Sequence, residues 1–286
     1  MDFLDELTQR VLPGDGAMGT ELLAAGVPAD QCLEQLCLSQ PDLVRGIHEQ
    51  YIAAGARVIE TNSFGANVAR LARHGLEGHV NELNWTAAQI AKEAAKGTGV
   101  YVAGSVGPLG ITAAEAEAQG IDREDAFREQ IGALLDGGCN LIILETFLDV
   151  EELKIAIYAK QSVHHCPVVA LLASGDPALL AQAASLDDPA DVIGVNCLDS
   201  ATALRLLASP LSRPDGESPT LAAFPSAGLP ERTGNQLVYR TTPEEFAASS
   251  LALSDQGVQL IGGCCGIGPR HIKALATALE SRKAAR

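Results

Sequence analysis

Three cysteines have the residue type and the placement that metal chemistry requires. Cys264 and Cys265 are adjacent within the glycine-rich residues 262–266, and Cys197 follows an earlier apolar run. Adjacent residues on a regular strand point to opposite faces, so the flanking glycines are needed to turn both sulfurs towards one point. Three thiolates with a fourth position open are the ligand set of a catalytic zinc ion, and soft sulfur ligands favour Zn²⁺ over Mg²⁺ or Ca²⁺.

The other four of the seven cysteines are better explained by packing. Cys139 and Cys166 lie beside the starts of apolar runs, and Cys32 and Cys37 flank one helical turn. Cysteine is a small side chain that is commonly buried. An odd number of cysteines in a chain of 286 residues also argues against a disulfide framework. The six histidines form no pattern, and none is assigned to the zinc.

Two carboxylates and a glycine-rich loop predict a site for an α-amino acid. Residues 14–19 match G-x-G-x-x-G, but Pro13 interrupts the preceding strand and Asp15 would lie against a pyrophosphate, which disfavours a dinucleotide site. Backbone N–H groups of such a loop can instead hold a carboxylate. Asp15 and Glu145 could then hold an ammonium group, although Glu145 could also pair with an arginine inside the fold.

Eight apolar runs separated by helical patterns form the scaffold that positions these residues. We predict buried parallel strands at residues 11–15, 57–61, 100–105, 140–145, 167–172, 191–196, 220–224 and 258–262. Helices are predicted at residues 41–54, 84–96, 123–135, 150–162, 243–255 and 269–282. Ser39 is the expected N-cap of the first of these helices, and Asp149 with Glu152 is expected to form a capping box.

Alternating strands and helices predict an α/β fold, a single-domain (β/α)8 TIM barrel over residues 1–286. The active site of such a barrel lies at the carboxyl ends of the strands. The pattern therefore places five side chains around one mouth, namely Asp15, Glu145, Cys197, Cys264 and Cys265.

The acidic composition narrows the classes of partner. There are 20 Lys+Arg against 36 Asp+Glu, a formal net charge of −16, which disfavours nucleic acid and anionic membrane surfaces. The longest uncharged stretch, residues 97–114, is rich in glycine, so no membrane span is predicted. The N-terminal residues resemble neither a signal peptide nor a transit peptide, and we expect a cytoplasmic protein. Whether the chain forms a homo-oligomer is left open.

An ordered set of motifs resembles the homocysteine S-methyltransferase family. The motifs are DGAMGT at residues 15–20, ETNSF at 60–64, GSVGP at 104–108, ETF at 145–147, GVNC at 194–197 and GGCCG at 262–266. The resemblance runs essentially the length of the chain. That family includes the zinc domain of cobalamin-dependent methionine synthase and enzymes that use betaine or S-methylmethionine.

The resemblance implies both a metal site and a substrate. Cys197, Cys264 and Cys265 match the family's zinc ligands, and homocysteine is expected to bind the zinc through its sulfur and to accept a methyl group, giving methionine. The substrate-binding residues implied by position are Asp15, Gly16, Ala17, Met18, Gly19, Asn62, Ser63 and Glu145. The methyl donor is expected to be S-methylmethionine, S-adenosylmethionine, betaine, or a methylcobalamin and folate system carried on a separate protein or domain.

One segment departs from the family pattern. Many relatives carry Pro-Asn-(Ala/Ser)-Gly after the seventh strand, and that asparagine can occupy the open zinc position, whereas this chain has Pro225-Ser226-Ala227-Gly228. A fourth protein ligand is therefore in doubt. Two other classes of function stay open, a zinc or nicotinamide-dependent barrel enzyme of different chemistry and a metal-binding protein without enzyme activity.

Overall fold

The chain forms a nearly closed barrel of eight parallel strands in a computed structural model that describes residues 2–163, 165–233 and 236–284. The barrel strands are β1 (Leu12–Pro13), β2 (Val58–Glu60), β3 (Tyr101–Val106), β4 (Leu141–Phe147), β5 (Val168–Leu172), β6 (Val192–Asp199), β7 (Thr220–Ser226) and β10 (Val258–Ile261). Each predicted strand is present, and the spatial order is β1-β10-β7-β6-β5-β4-β3-β2. The predicted (β/α)8 barrel is thereby confirmed.

A short antiparallel pair interrupts the alternation after β7. Its strands are β8 (Glu231–Thr233) and β9 (Gln236–Val238), and it belongs to the connection between β7 and β10. The sequence pattern indicated only a helix, at residues 243–255, in this connection and did not predict the strand pair. The pair follows the carboxyl end of β7, so it adds structure at the mouth of the barrel.

Helices α1 to α13 surround the strands in the described part of the chain. Their bounds are α1 (Phe3–Gln9), α2 (Met18–Ala24), α3 (Leu36–Ser39), α4 (Pro41–Ala53), α5 (Val68–Leu71), α6 (Val80–Ala95), α7 (Ala113–Ala118), α8 (Arg123–Asp136), α9 (Val150–Gln161), α10 (Pro177–Ala184), α11 (Ser200–Leu207), α12 (Pro243–Asp255) and α13 (Pro269–Ala284). Of the helices described, none combines the length and the apolar content needed to cross a membrane.

The two predicted helix caps are wrong in detail. Ser39 is the last residue of α3 and donates its hydroxyl to the Gln35 carbonyl, so α4 begins after Gln40 without a side-chain cap. Asp149 does cap α9, but Glu152 completes no capping box. The carboxylate of Glu152 accepts the N–H of Leu109 at 2.9 Å instead, because a tertiary partner competes for it.

β1 closes the barrel with little backbone pairing. It is two residues long and pairs in parallel with β10. On its other side, the Arg57 N–H donates to the Pro13 carbonyl at 2.7 Å, and Gly14 forms an isolated bridge with Val58. Pro13 has no N–H to donate, which limits how far this strand can pair.

Alternate strand residues pack into two separate cores. Leu141 and Ile143 of β4 belong to the cluster inside the barrel, whereas Ile142 and Leu144 pack in the cluster that joins the strands to the helices. This period of two follows from the pleat of a strand. The next inward position on β4 is Glu145, so the alternation that fills the barrel also points a carboxylate into its mouth.

Candidate active site

Polar side chains take the last inward positions of several strands. By the same alternation these are Glu60 on β2, Ser105 on β3, Glu145 on β4, Asn196 on β6 and Ser226 on β7. The apolar layers below them separate this polar edge from the far end of the barrel. These polar side chains therefore gather at the carboxyl-end mouth.

The three cysteines predicted as metal ligands converge at this mouth. The Sγ atom of Cys197 lies 2.8 Å from that of Cys264 and 3.8 Å from that of Cys265, and the last two are 3.9 Å apart. They form the group of potential metal ligands found among the described residues. Sulfurs at about 2.3 Å from a tetrahedral zinc are about 3.8 Å from one another, and two of the three separations already match.

Backbone geometry turns the sulfurs towards one another. Cys197 has φ 58°, a left-handed conformation, at a register shift in the pairing of β6 with β7. Beyond β10, the Cys264 N–H donates to the Pro225 carbonyl at 2.9 Å, and the Cys265 carbonyl accepts the Ala227 N–H at 2.8 Å. The end of β7 therefore holds both members of the adjacent pair in place.

Gly266 allows the chain to leave this turn. Its φ is 81°, and a Cβ there would lie 2.3 Å from Cγ of the Tyr239 ring. The Gly266 N–H donates to the Thr20 hydroxyl at 3.1 Å. The ring of Tyr239, which follows β9, thus packs against the cysteine turn, and only glycine fits between them.

The cysteine cluster favours a thiolate. Hydrogen bonds from Cys197 and Cys264 lower the pKa of Cys265 to about 3. The pKa of Cys264 is raised, chiefly by its hydrogen bond with Cys197. One sulfur therefore ionises with the help of the other two, and thiolate is the form of cysteine that binds metals.

Three carboxyl groups converge beside the cysteines. Asp15 is 2% exposed, and its Oδ2 atom accepts the Glu60 N–H at 2.9 Å. Its Oδ1 atom and the Oε2 atom of Glu60 are buried without a hydrogen-bond partner among the described residues. Burial raises the pKa of Asp15, Glu60 and Glu145, and the charge of Glu145 raises the first two further. Buried acceptors without donors are costly, so this pocket suits a cationic hydrogen-bond donor.

Glu145 is held by neutral side chains rather than by the arginine considered from sequence. Ser105 donates its hydroxyl to Glu145 Oε1, and Asn196 donates to Oε2 at 3.2 Å. The carboxyl group of Glu60 also contacts that of Glu145 and affects its pKa. Glu60 was not among the predicted site residues, although it lies two positions after the inward-facing Val58.

The first loop packs tightly before α2. A Cβ on Gly16 would lie 2.1 Å from the Ile267 carbonyl oxygen, and the Ala17 N–H donates to that oxygen at 2.9 Å. Helix α2 begins at Met18 without a side-chain cap. The N–H groups of its first turn, which includes Gly19, therefore carry no capping side chain. The loop lies inside a barrel rather than in a dinucleotide-binding fold, so the G-x-G-x-x-G match is not supported as a dinucleotide site.

The side chains of Asn62 and Ser63 donate hydrogen bonds to backbone carbonyls of neighbouring segments. Asn62 Nδ2 donates to the Leu33 carbonyl at 2.8 Å, and the Ser63 hydroxyl donates to the Ser105 carbonyl at 2.7 Å. Both residues are buried. These contacts position the end of β2, and the substrate contact predicted for both residues stays a prediction.

The remaining cysteines pack as predicted. Cys32 and Cys37 are buried, and Cys139 and Cys166 pack against the core between strands and helices. Burial raises the pKa of Cys37 to about 12 and that of Cys139 to about 12, which keeps these thiols protonated. None of them joins the metal-ligand group found among the described residues.

Comparison with known proteins gives one consistent family. The family model described as homocysteine S-methyltransferase matches residues 12–279. The chain is 33% identical over 309 aligned positions to methionine synthase of Mycobacterium tuberculosis, covering 99% of this chain and 26% of that protein. It is 32% identical over 305 positions to methionine synthase of Mycobacterium leprae, covering 97% of this chain and 25% of that protein. The chain thus spans about a quarter of the length of these curated relatives.

A solved structure supports the same assignment. The metallated form of the homocysteine methyltransferase MmuM from Escherichia coli superposes with a TM-score of 0.73 at 25% identity, covering 96% of this chain and 99% of that one. The family match, the sequence relatives and this superposition each extend over nearly all of the barrel. The chain therefore belongs to the homocysteine S-methyltransferase family.

Proposed function

We propose that this chain methylates homocysteine to methionine at a zinc ion held by Cys197, Cys264 and Cys265. The observation that carries the proposal is the meeting of three cysteine sulfurs with a buried carboxyl pocket at one mouth. Homocysteine has a thiol at one end and an ammonium and a carboxylate at the other. The two halves of the site match the two ends of this molecule. Family membership supports the same substrate.

The donor set fits zinc. The sulfurs come from two strand ends, and three thiolates with space for one more ligand are typical of catalytic zinc sites. Ser226 takes the place of the family's asparagine, and its hydroxyl donates to the Leu198 carbonyl at 3.3 Å. When bound, zinc supplies a Lewis acid that ionises a coordinated thiol.

The remaining residues bind and orient the amino-acid end of the substrate. Asp15 and Glu145 accept hydrogen bonds from the ammonium group, and the uncapped first turn of α2, at Met18 and Gly19, receives the carboxylate. Burial is the main cause that raises the pKa of Glu145, and the charge of Cys265 raises it further. Substrate held at both ends presents its sulfur to the donor in a fixed direction, and such positioning supplies much of the rate of a methyl transfer.

The methyl donor is proposed from charge and from the relatives. Three thiolates more than neutralise a divalent cation, so the site favours a methyl group carried on a cationic centre. The relatives at 33% and 32% identity are methionine synthases. The family that the motifs resemble includes a cobalamin-dependent methionine synthase, so methylcobalamin on another domain or protein is the first donor to test. S-Methylmethionine, S-adenosylmethionine and betaine are the alternatives.

A donor panel tests the function directly. The zinc-loaded protein is incubated with homocysteine and each donor in turn, and methionine is measured by mass spectrometry. We expect methionine with one donor and none when homocysteine is omitted. No methionine with any donor, together with reduction or oxidation of a nicotinamide cofactor, would favour the alternative barrel enzyme.

Three broader predictions remain proposals. Residues 1–286 are expected to act as one homocysteine-binding barrel domain. The protein is expected in the cytoplasm, without nucleic acid or membrane partners. The charge of −16 supports the exclusion of nucleic acid. Sedimentation of the purified chain would establish whether it forms a homo-oligomer.

A further inference from the structure

Glu60 is a buried carboxyl that the proposed chemistry leaves unused. It occupies the last residue of β2, on the inward face that Val58 shares. Its Oε2 atom is buried and has no hydrogen-bond partner among the described residues. Its carboxyl group contacts Glu145, which is already assigned to the substrate ammonium. A buried acceptor without a donor calls for a ligand that supplies one.

Asp15 gives a second, independent observation at the same place. It is 2% exposed, and its Oδ1 atom also lacks a partner among the described residues. The other oxygen of Asp15 accepts the backbone N–H of Glu60, which fixes the two carboxyl groups as neighbours. A primary ammonium has three N–H donors. Asp15, Glu60 and Glu145 offer one acceptor group for each of them.

The contact between Glu60 and Glu145 requires a proton when no cation is present. Two carboxylates at hydrogen-bond distance repel each other, so one of them holds a proton and donates it to the other. Burial, followed by the charges of Glu145 and Asp15, raises the pKa of Glu60 well above its ordinary value. The charge of Cys265 is one of the lesser causes that raise the pKa of Glu145. None of the main groups that act on Glu60 in the described residues is a lysine or an arginine.

We propose that Glu60 is a third carboxyl of the amino-group site and that it gives up a proton when a primary ammonium binds. The O–H bond of Glu60 breaks, the proton leaves to solvent, and an N–H of the ligand takes its place as the donor between the carboxyl groups. The positive charge of the ammonium replaces the charge of the proton, so the pocket stays balanced. This inference rests on the proposed function, because it takes homocysteine as the ligand.

Calorimetric titration of the zinc-loaded protein tests the exchange. Homocysteine is compared with 4-mercaptobutyrate, which keeps the thiol and the carboxylate but lacks the amino group. Titrations at pH 7 in two buffers of different ionisation enthalpy give the number of protons released. We expect about one more proton with homocysteine than with 4-mercaptobutyrate in the unaltered protein. In Glu60→Gln that extra proton should disappear, and homocysteine should bind about tenfold more weakly.

The controls separate this inference from the function on which it rests. Glu60→Gln should bind 4-mercaptobutyrate as the unaltered protein does, which a general folding defect would prevent. Glu152→Gln, which removes a carboxylate that accepts a backbone N–H, should match the unaltered protein with both ligands. Equal proton counts for the two ligands in the unaltered protein would overturn the inference, whatever the variant does. Failure of the unaltered protein to bind homocysteine at all would instead overturn the proposed function.

Discussion

Asn196 holds Thr146 through two hydrogen bonds. Its Oδ1 atom accepts the Thr146 N–H at 2.9 Å, and its Nδ2 atom donates to the Thr146 hydroxyl at 2.8 Å. Thr146, with φ 64°, and Cys197, with φ 58°, are the non-glycine residues of positive φ in the described part of the chain. Such a conformation costs roughly 1–2 kcal/mol for each residue. Asn196 therefore joins the strained strand end that carries Glu145 to the one that carries Cys197.

Replacing Asn196 should disturb both halves of the site at once. Asn196→Ala should weaken zinc binding about tenfold and destabilise the fold by about 1–3 kcal/mol, because buried partners lose their hydrogen bonds. Competition with a chelator and thermal unfolding measure the two effects. Asn84→Ala is the matched control, since the buried amide of Asn84 donates to the Val80 carbonyl within α6 and to the Ala66 carbonyl in the loop before α5, each at 2.7 Å. Equal zinc affinities in the two variants would contradict the coupling.

The cysteine ligands should be separable from the packing cysteines by metal content. Protein purified without chelator should contain one zinc per chain by elemental analysis. Cys264→Ser and Cys265→Ser should lose zinc and activity together, because a neutral hydroxyl is a poor replacement for a thiolate. Cys139→Ala and Cys166→Ala should keep the zinc and lose only packing energy. A protein without zinc, and with no activity gained when zinc is added, would refute the site.

Homocysteine should add a sulfur to the zinc. Zinc-edge X-ray absorption of the loaded protein should count three sulfur ligands, from Cys197, Cys264 and Cys265, and four after homocysteine is added. A count of three with homocysteine demonstrably bound would remove zinc activation from the mechanism. In that case a general base would have to deprotonate the substrate thiol.

Glu145→Gln should weaken homocysteine binding and leave the zinc in place. A charge-assisted hydrogen bond is worth about 1.5–3 kcal/mol, and the variant loses the charge but keeps the shape. Calorimetric affinity together with zinc content tests this. Glu34→Gln is a suitable control, since Glu34 accepts the Gly65 N–H at 2.8 Å. If homocysteine binds Glu145→Gln with unchanged affinity, the carboxylate has another role.

His48 should make the fold sensitive to acid. It is fully buried in α4, neither ring nitrogen has a partner among the described residues, and burial lowers its pKa from 6.5 to about 4. The folded state therefore binds the proton less well than the unfolded state. Above about pH 6.5 His48 is neutral in both states and does not lower the free energy of unfolding. As the pH drops from there towards about 4, the unfolded state takes up the proton and the free energy of unfolding falls by about 3 kcal/mol in total.

His48→Leu should reduce the loss of stability at low pH, because leucine has no group that titrates. Urea unfolding of both proteins at pH 7.5, 6 and 4.5 gives the comparison. The stability difference between them should shift in favour of the variant as the pH falls. A difference that is constant over this range would show that His48 does not titrate with folding.

The strand positions were predictable because each is a short apolar run, and the mouth was predictable because parallel strands of a barrel end on one side. Those two rules were enough to predict that Cys197 lies close to Cys264 and Cys265. The local turns were not predictable in detail. The left-handed conformation of Cys197 and the packing of Tyr239 on Gly266 depend on tertiary contacts made after the barrel has formed.

Glu60 shows where sequence reasoning failed. Its distance from Val58 along the strand indicates the inward face, as the distance of Glu145 from Ile143 does on β4. The sequence does not show which side chains surround Glu60, because only closure of the barrel brings Asp15, Glu60 and Glu145 together. The same limit explains Glu152, whose carboxylate accepts the N–H of Leu109 in the loop after β3 instead of completing the predicted capping box.

The short β1 gives the barrel a seam, and the seam lies beside the carboxyl pocket. Across it, the Arg57 N–H reaches the Pro13 carbonyl and the Glu60 N–H reaches Asp15. Few backbone bonds hold this edge, so we expect local opening and amide exchange to be easier here than between the longer strands. The ligand proposed for Asp15 and Glu60 would join the two sides of this seam. If homocysteine binds there as proposed, the substrate completes the barrel wall, and binding should stabilise the closed barrel against unfolding.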